Sequence, residues 1–141
     1  MPQISAFTLC SEIVDNVSGE GILEPELRNP QPALRPRFIP TECSFGVYLG
    51  ILGIGPESDN ELEFRLDDAD GKTVTQIGPI TVPTTAPGGA NVPPEYRYAA
   101  FVLRLQNVNL ETEGIYQFKT LYNCRELENK LVPVYRQAET S

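Results

Sequence analysis

One stretch decides the fold: residues 98–122, which read YAAFVLRLQNVNLETEGIYQFKTLY. Apolar side chains recur at every second position on both sides of its central turn. These positions are Phe101, Leu103, Leu105, Tyr116 and Phe118. A period of two is typical of strands with one buried face, and a Gly-x-Tyr after a turn is the tyrosine-corner pattern of immunoglobulin-like sandwiches. The stretch therefore predicts two antiparallel strands joined by a tyrosine corner.

The rest of the chain shows similar short apolar runs separated by turn residues. The further predicted strands are Gln3–Val14, Phe45–Ile51, Leu62–Leu66, Thr73–Ile77 with Ile80 and Val82 beyond a Gly-Pro break, and a last strand over Leu127–Tyr135. Hairpin turns are expected at Asp68–Gly71 and Asn123–Cys124. With seven or eight strands at this spacing, the sequence predicts an all-β, immunoglobulin-like or C2-like antiparallel β-sandwich. The length fits one domain, residues 1–141.

Four segments depart from regular strand patterns. Glu24–Pro40 carries five prolines, which favours an extended surface connection with at most one edge strand. Asn16–Gly21 and Ile54–Asn60 are rich in turn residues. Pro83–Glu95 predicts a long loop that is either functional or mobile. Three glycines in and just after a strong strand, Gly46, Gly50 and Gly53, indicate a bulge or a close backbone approach there.

Charge argues against two classes of partner. Nineteen acidic residues against eleven basic ones give a formal net charge of −8. A nucleic-acid binder presents clustered Lys and Arg to phosphates, and so does a protein that binds anionic membranes. We therefore expect neither nucleic acid nor a membrane as partner, and the longest apolar stretch, Phe45–Ile54, is too short to span a bilayer.

The cysteines and the amino terminus bear on location. Cys10, Cys43 and Cys124 are widely spaced and odd in number, which favours free thiols in a reducing compartment. A bridge such as Cys10–Cys43 stays open if the chain is exported. Residues 1–9 lack the basic start and apolar run of a signal peptide. The sequence therefore predicts a cytoplasmic protein.

The chain contains no histidine, which removes the commonest general base and the Ser-His and Cys-His nucleophile arrangements. It also lacks a phosphate-binding glycine motif. We therefore predict that the protein is not an enzyme, and we assign no catalytic, cofactor-binding or metal-binding residue and no cofactor.

Two groups of residues offer weaker chemistry. The first is an acidic run that could attract Ca²⁺: Glu57, Asp59, Glu61, Glu63, Asp67, Asp68 and Asp70. It does not fit a D-x-D-x-D-G loop, because Leu66 and Ile77 fall on required ligand positions. The second is a possible aromatic platform of Tyr96, Tyr98 and Phe101 for a sugar ring or a Pro-rich peptide. The alternative for these three rings is packing beneath the neighbouring loop.

From Phe45 onward the chain resembles a bacterial family of small uncharacterised proteins, a domain of unknown function. The matching segments are Phe45–Leu49, Leu62–Leu66, Asp70–Gly71, Phe101–Leu105, Gly114–Phe118 and Val132–Val134. The resemblance implies a bacterial β-sandwich and brings no known activity or catalytic residue with it. It covers about two thirds of the chain, and the chain departs from the pattern at Asn123–Cys124, where a non-glycine residue is expected to take a positive φ.

Loops at the ends of a β-sandwich and its sheet edges commonly carry binding. We therefore predict a non-enzymatic interaction module that binds another protein, or a second copy of itself, through loops or a sheet edge. The alternative function is a small-ligand-binding domain for carbohydrate or Ca²⁺.

Overall fold

The computed structural model describes residues 2–17, 23–53, 60–82 and 98–137. Within these ranges the chain forms nine β-strands and no helix. The strands are β1 (Gln3–Val17), β2 (Leu23–Pro30), β3 (Thr41–Leu52), β4 (Asn60–Asp67), β5 (Thr73–Val82), β6 (Tyr98–Leu110), β7 (Gly114–Tyr122), β8 (Arg125–Glu126) and β9 (Lys130–Val134). The predicted turns within 18–21 and 54–59, and the predicted loop Pro83–Glu95, lie outside the described residues.

The strands form two antiparallel sheets. The first has the order β2-β1-β3-β6, and the second has the order β5-β4-β7, with β8 and β9 both paired to β7. The predicted all-β antiparallel sandwich is confirmed, whereas its immunoglobulin-like or C2-like type stays a prediction. The described residues contain nine strands rather than the expected seven or eight: Leu23–Pro30 is the edge strand that the sequence allowed, and the two-residue strand β8 precedes the predicted last strand.

The core lies between the two sheets and follows the predicted alternation. In β3 the inward side chains are Phe45, Val47, Leu49 and Ile51, all buried. Leu62, Phe64 and Leu66 of β4 face them from the second sheet and are also buried. β1 lies between β2 and β3 in the first sheet, so the amino-terminal strand is an integral part of the sandwich.

Tyr116 anchors the connection between the two sheets. Its ring is fully buried, and its hydroxyl donates to the Thr112 carbonyl oxygen at 2.7 Å. β6 belongs to the first sheet and β7 to the second, so these consecutive strands do not pair with each other. The hydrogen bond from a tyrosine to the backbone a few residues upstream is the geometry of a tyrosine corner, which confirms that prediction.

Other local expectations are partly corrected. Asn123 and Cys124 both have positive φ, 49° and 63°, as the two central residues of a type I′ hairpin require. Gly71 has φ 87° in the β4–β5 turn, as predicted. The Gly78-Pro79 pair does not end β5, however. The strand continues through it, and the register with β4 shifts there.

Candidate peptide-binding cleft between two sheet edges

One lateral side of the sandwich is partly closed by residues 31–37, which we call the closing segment. The Gln31 amide N–H donates to the Leu9 carbonyl of β1 at 2.8 Å. Three residues later, the Leu34 N–H donates to the Pro133 carbonyl at 2.9 Å, and Leu34 accepts from the Tyr135 N–H at 3.2 Å. The closing segment therefore crosses from the edge of the first sheet to the edge of the second.

Beside the closing segment, each sheet presents a backbone position without a partner among the described residues. The N–H and C=O groups of one strand residue point to the same side, and this side alternates along the strand. Leu9 turns its carbonyl away from β3, so Phe7, two residues earlier, turns its N–H and C=O the same way. Pro133 points its carbonyl away from β7, so Leu131 does too. The edges of β1 and β9 therefore each extend beyond the residue that pairs with the closing segment, to Phe7 in β1 and to Leu131 in β9.

A cleft of about 380 Å³ lies between these two edges. It is lined by Phe7, Thr8, Leu9, Pro30, Gln31, Pro32, Leu131 and Val132. The Phe7 ring packs against Phe118 of the core, with ring centroids 5.3 Å apart, so one wall is aromatic and fixed by the core. None of the lining residues is charged, so the cleft suits an apolar side chain flanked by peptide groups.

The outer face of the second sheet adds apolar surface next to the cleft. Leu131 is 63% exposed and Ile115 is 52% exposed. Ile115 is paired with Pro133 across β7 and β9, and Leu131 lies two residues from Pro133 on the same face. Two large exposed apolar side chains therefore lie on one face beside the apolar cleft.

The structure does not assemble the predicted aromatic platform. Tyr98 and Phe101 are three residues apart on β6, so they lie on opposite faces of the strand. Phe101 packs towards the core, 5.8 Å from the ring of Phe64, whereas Tyr98 is half exposed. Tyr96 lies outside the described residues.

Two residues of the acidic run, Asp67 and Asp68, are engaged with neighbours of their own. Asp67 forms an ion pair with Lys119 at 3.0 Å, and Asp68 accepts from the amides of Asp70 and Lys72 within its own turn. In the described part of the chain, no three Asp, Glu, Cys or His residues come together as a metal site would require. Glu57 and Asp59 of the same run lie outside it.

All three cysteines are free, so the Cys10–Cys43 bridge that was left open is not formed. Burial raises the pKa of the Cys10 and Cys43 thiols. A raised pKa leaves less of the nucleophilic thiolate at neutral pH. Cys124 is exposed at the β7–β8 turn.

Comparison with known proteins adds no relative: no family model matches the sequence, and a search of curated proteins finds no match. The resemblance to a bacterial family therefore stays a prediction. The described residues contain no helix that could cross a membrane.

Sequence reasoning missed the cleft, although Pro30 and Pro32 marked its place. They indicated an irregular connection where β2 ends, and this connection is the start of the closing segment. The unpaired edges at Phe7 and Leu131 carry no sequence signal, because they depend on which strands become neighbours.

Proposed function

We propose that the protein is a non-enzymatic interaction module that binds an extended peptide segment of another protein in the cleft between β1 and β9. One observation supports this most: the unpaired backbone groups of Phe7 and Leu131 flank an apolar cleft directly beside the closing segment. The closing segment already pairs with both edges, at Leu9 and Pro133. A bound peptide would continue the same kind of pairing.

Such a peptide would bind by strand addition, in which backbone hydrogen bonds give affinity and alternate side chains give specificity. Its amide and carbonyl groups would pair with the Leu131 backbone at the β9 edge. One apolar side chain would enter the cleft against Phe7, and burying it contributes about 1.5–3 kcal/mol. Because the chain carries a net charge of −8, basic residues flanking the apolar one would speed association.

Selection from a phage-displayed library of random peptides on the immobilised protein tests this function. The blocking variant is Leu131→Pro, which removes the outward N–H while leaving the β7 pairing intact, as the natural Pro133 of the same strand does. The matched control is Leu131→Thr, which keeps the N–H. We expect selected peptides to bind Leu131→Pro at least about tenfold more weakly than wild type, and Leu131→Thr to retain most binding. Peptides that bind all three proteins equally would contradict the proposal.

A small-ligand function has one supporting observation. The cleft volume of about 380 Å³ falls in the range of small-molecule sites. A carbohydrate would be the ligand class, and a thermal-shift screen against a glycan panel tests it. A Ca²⁺ titration followed by melting temperature tests the metal alternative. A cytoplasmic location remains our proposal, supported by the three free thiols.

A further inference from the structure

On the opposite side of the sandwich, the part of the chain that the structure describes leaves the outer edge of β6 without a partner. Among the described residues, β6 pairs only with β3. Val47 of β3 lies opposite Leu9 of β1 on one side and opposite Leu103 of β6 on the other. Because the Leu9 carbonyl points away from β3, Leu9 and Val47 are not a hydrogen-bonded pair. The N–H and C=O groups of Val47 therefore point towards Leu103, and those of Leu103 point towards β3. The N–H and C=O groups of Ala100 and Val102 therefore point outward from the sheet.

The edge strands β2 and β5 carry features that discourage pairing with another chain, whereas β6 does not. β2 contains Pro25 and Pro30, and β5 contains Gly78-Pro79 at a register shift with β4. Proline and bulges are common protections of edge strands. From Tyr98 to Leu105, β6 has no proline, no acidic residue and no register shift.

The single charge on β6 is drawn away from the edge. The Arg104 guanidinium lies 2.8 Å from the Asp15 carboxylate and donates to the Ile13 carbonyl at 3.1 Å. Both partners belong to β1, so the Arg104 side chain reaches across the outer face of β3. The missing side chain at Gly46 leaves room for Ile13 beside it, because a Cβ there would lie 2.8 Å from the Ile13 Cγ1. The positive charge of Arg104, which could repel an incoming strand, is thus held over the outer face of the sheet and away from the β6 edge.

We propose that β6 pairs antiparallel with β6 of a second copy of this chain, in a symmetric contact centred on Val102. This register joins the two four-stranded sheets into one continuous sheet. It places Val102 opposite itself, Ala100 opposite Arg104, and Phe101 opposite Leu103. Each outward-facing backbone position then meets another outward-facing position, as hydrogen-bonded antiparallel pairs require.

The side chains on this strand fit a second copy for two reasons. No like charges face each other, since the only charged residue on β6, Arg104, meets Ala100. The bulky apolar residues meet one another on the core side, and cross-strand apolar pairs stabilise sheets. A symmetric contact also uses the same patch on both copies, which is the commonest oligomer arrangement.

Light scattering of the full chain from micromolar to millimolar concentration tests this contact. Wild type is expected to approach twice the mass of one chain. Val102→Pro removes an outward N–H, and Val102→Lys sets two ammonium groups opposite each other. Both variants are expected to stay monomeric at every concentration. Val102→Thr keeps the backbone and shape and should still dimerise, as should Leu131→Pro at the other side of the sandwich.

Denaturant melts of the same samples show which variants are folded, and Val102→Lys serves if Val102→Pro does not fold. A monomeric wild type would overturn the contact, as would a dimer that persists in folded Val102→Lys. A dimer lost in Leu131→Pro but kept in Val102→Lys would place self-association at the cleft and also overturn it. Peptide binding at the cleft is independent of these results, so failure here leaves the proposed function to its own test.

Discussion

The two lateral sides of the sandwich differ in how their exposed sheet edges are covered. At the β1/β9 side, the chain pairs its own closing segment with both sheets through Leu9, Leu34 and Pro133. At the β5/β6 side, the described residues place no segment on the outer edge of β6. The comparison teaches that a sheet edge is closed where a following segment of the chain pairs with it. The other edges either contain proline or have no partner within the described residues.

Within the β1/β9 side, two backbone positions of the same orientation differ in whether they have a hydrogen-bond partner. Leu9 and Leu131 have the same kind of backbone orientation, but only Leu9 has a partner among the described residues. From Leu34 the closing segment runs parallel to the end of β9 and the residues after it, where the Pro36 carbonyl accepts from the Gln137 N–H at 2.8 Å, so it leads away from Leu131. The cleft is therefore a consequence of where an irregular segment crosses between sheets.

The largest expected effect comes from the corner that links the two sheets and so supports both sides. Tyr116→Ala removes a fully buried ring and should lower the free energy of unfolding by about 3–5 kcal/mol. Tyr116→Phe, the control, loses only the hydrogen bond to Thr112 and should cost about 0.5–1.5 kcal/mol. Denaturant melts measure both, and a loss below about 1 kcal/mol for the alanine variant would show that the corner is not a structural anchor.

Leu34→Ala weakens the closed side alone. The side chain is buried, and its removal should cost about 2–3 kcal/mol, at the low end for a buried leucine because the closing segment can relax. Leu34→Met keeps the volume and should cost less than about 1.5 kcal/mol. Faster amide exchange at Leu34 and Tyr135, with unchanged exchange along β6, would show that the effect is confined to this side. Equal loosening of both sides would contradict it.

Arg104→Gln should have a small effect on stability and a clear effect on access to Cys10. Its ion pair with Asp15 is about half exposed, so the loss should stay below about 1 kcal/mol. Cys10 belongs to this same part of β1, and its Sγ lies beside Gly46. Without Arg104 this region is held less firmly, and alkylation of Cys10, followed by mass spectrometry, should speed up while exposed Cys124 reacts as before. An unchanged Cys10 rate would mean that Arg104 does not hold β1 in place.

The smallest expected effect is the pH dependence of the buried Cys10 thiol. Burial raises its pKa, so the folded state holds the proton more tightly than the unfolded chain. The resulting stability is complete below the ordinary thiol pKa and is lost as pH rises through the raised value. The difference between wild type and Cys10→Ala in denaturant melts should therefore shrink in alkaline solution, and a difference that grows with pH would contradict it.

Much of the fold could be predicted because its signals are local. The alternation of Phe45, Val47, Leu49 and Ile51 identifies a buried face whichever strands lie beside it. The tyrosine corner is local too, since Tyr116 and Thr112 are four residues apart. Tyr98 and Phe101 show a signal that was available and overlooked: a spacing of three residues puts them on opposite faces of a strand.

The candidate site could not be predicted, because it arises from neighbours that are distant in sequence. Phe7 and Leu131 are brought together only by the packing of β1 beside β9. The prolines of Glu24–Pro40 predicted an extended connection with at most one edge strand, and β2 is that strand. Pro25 lies within it, because an edge strand tolerates a residue that cannot donate.

Amide hydrogen exchange followed by NMR, on a dilute sample of the isolated chain, tests the unpaired cleft edge most directly. We expect slow exchange at Gln31 and Leu34, whose N–H groups are bonded to Leu9 and Pro133, and fast exchange at Phe7 and Leu131. Addition of a selected peptide should then slow the Leu131 amide. If Leu131 is as protected as Leu34 before any peptide is added, the edge is already paired, and the cleft is not a free binding site.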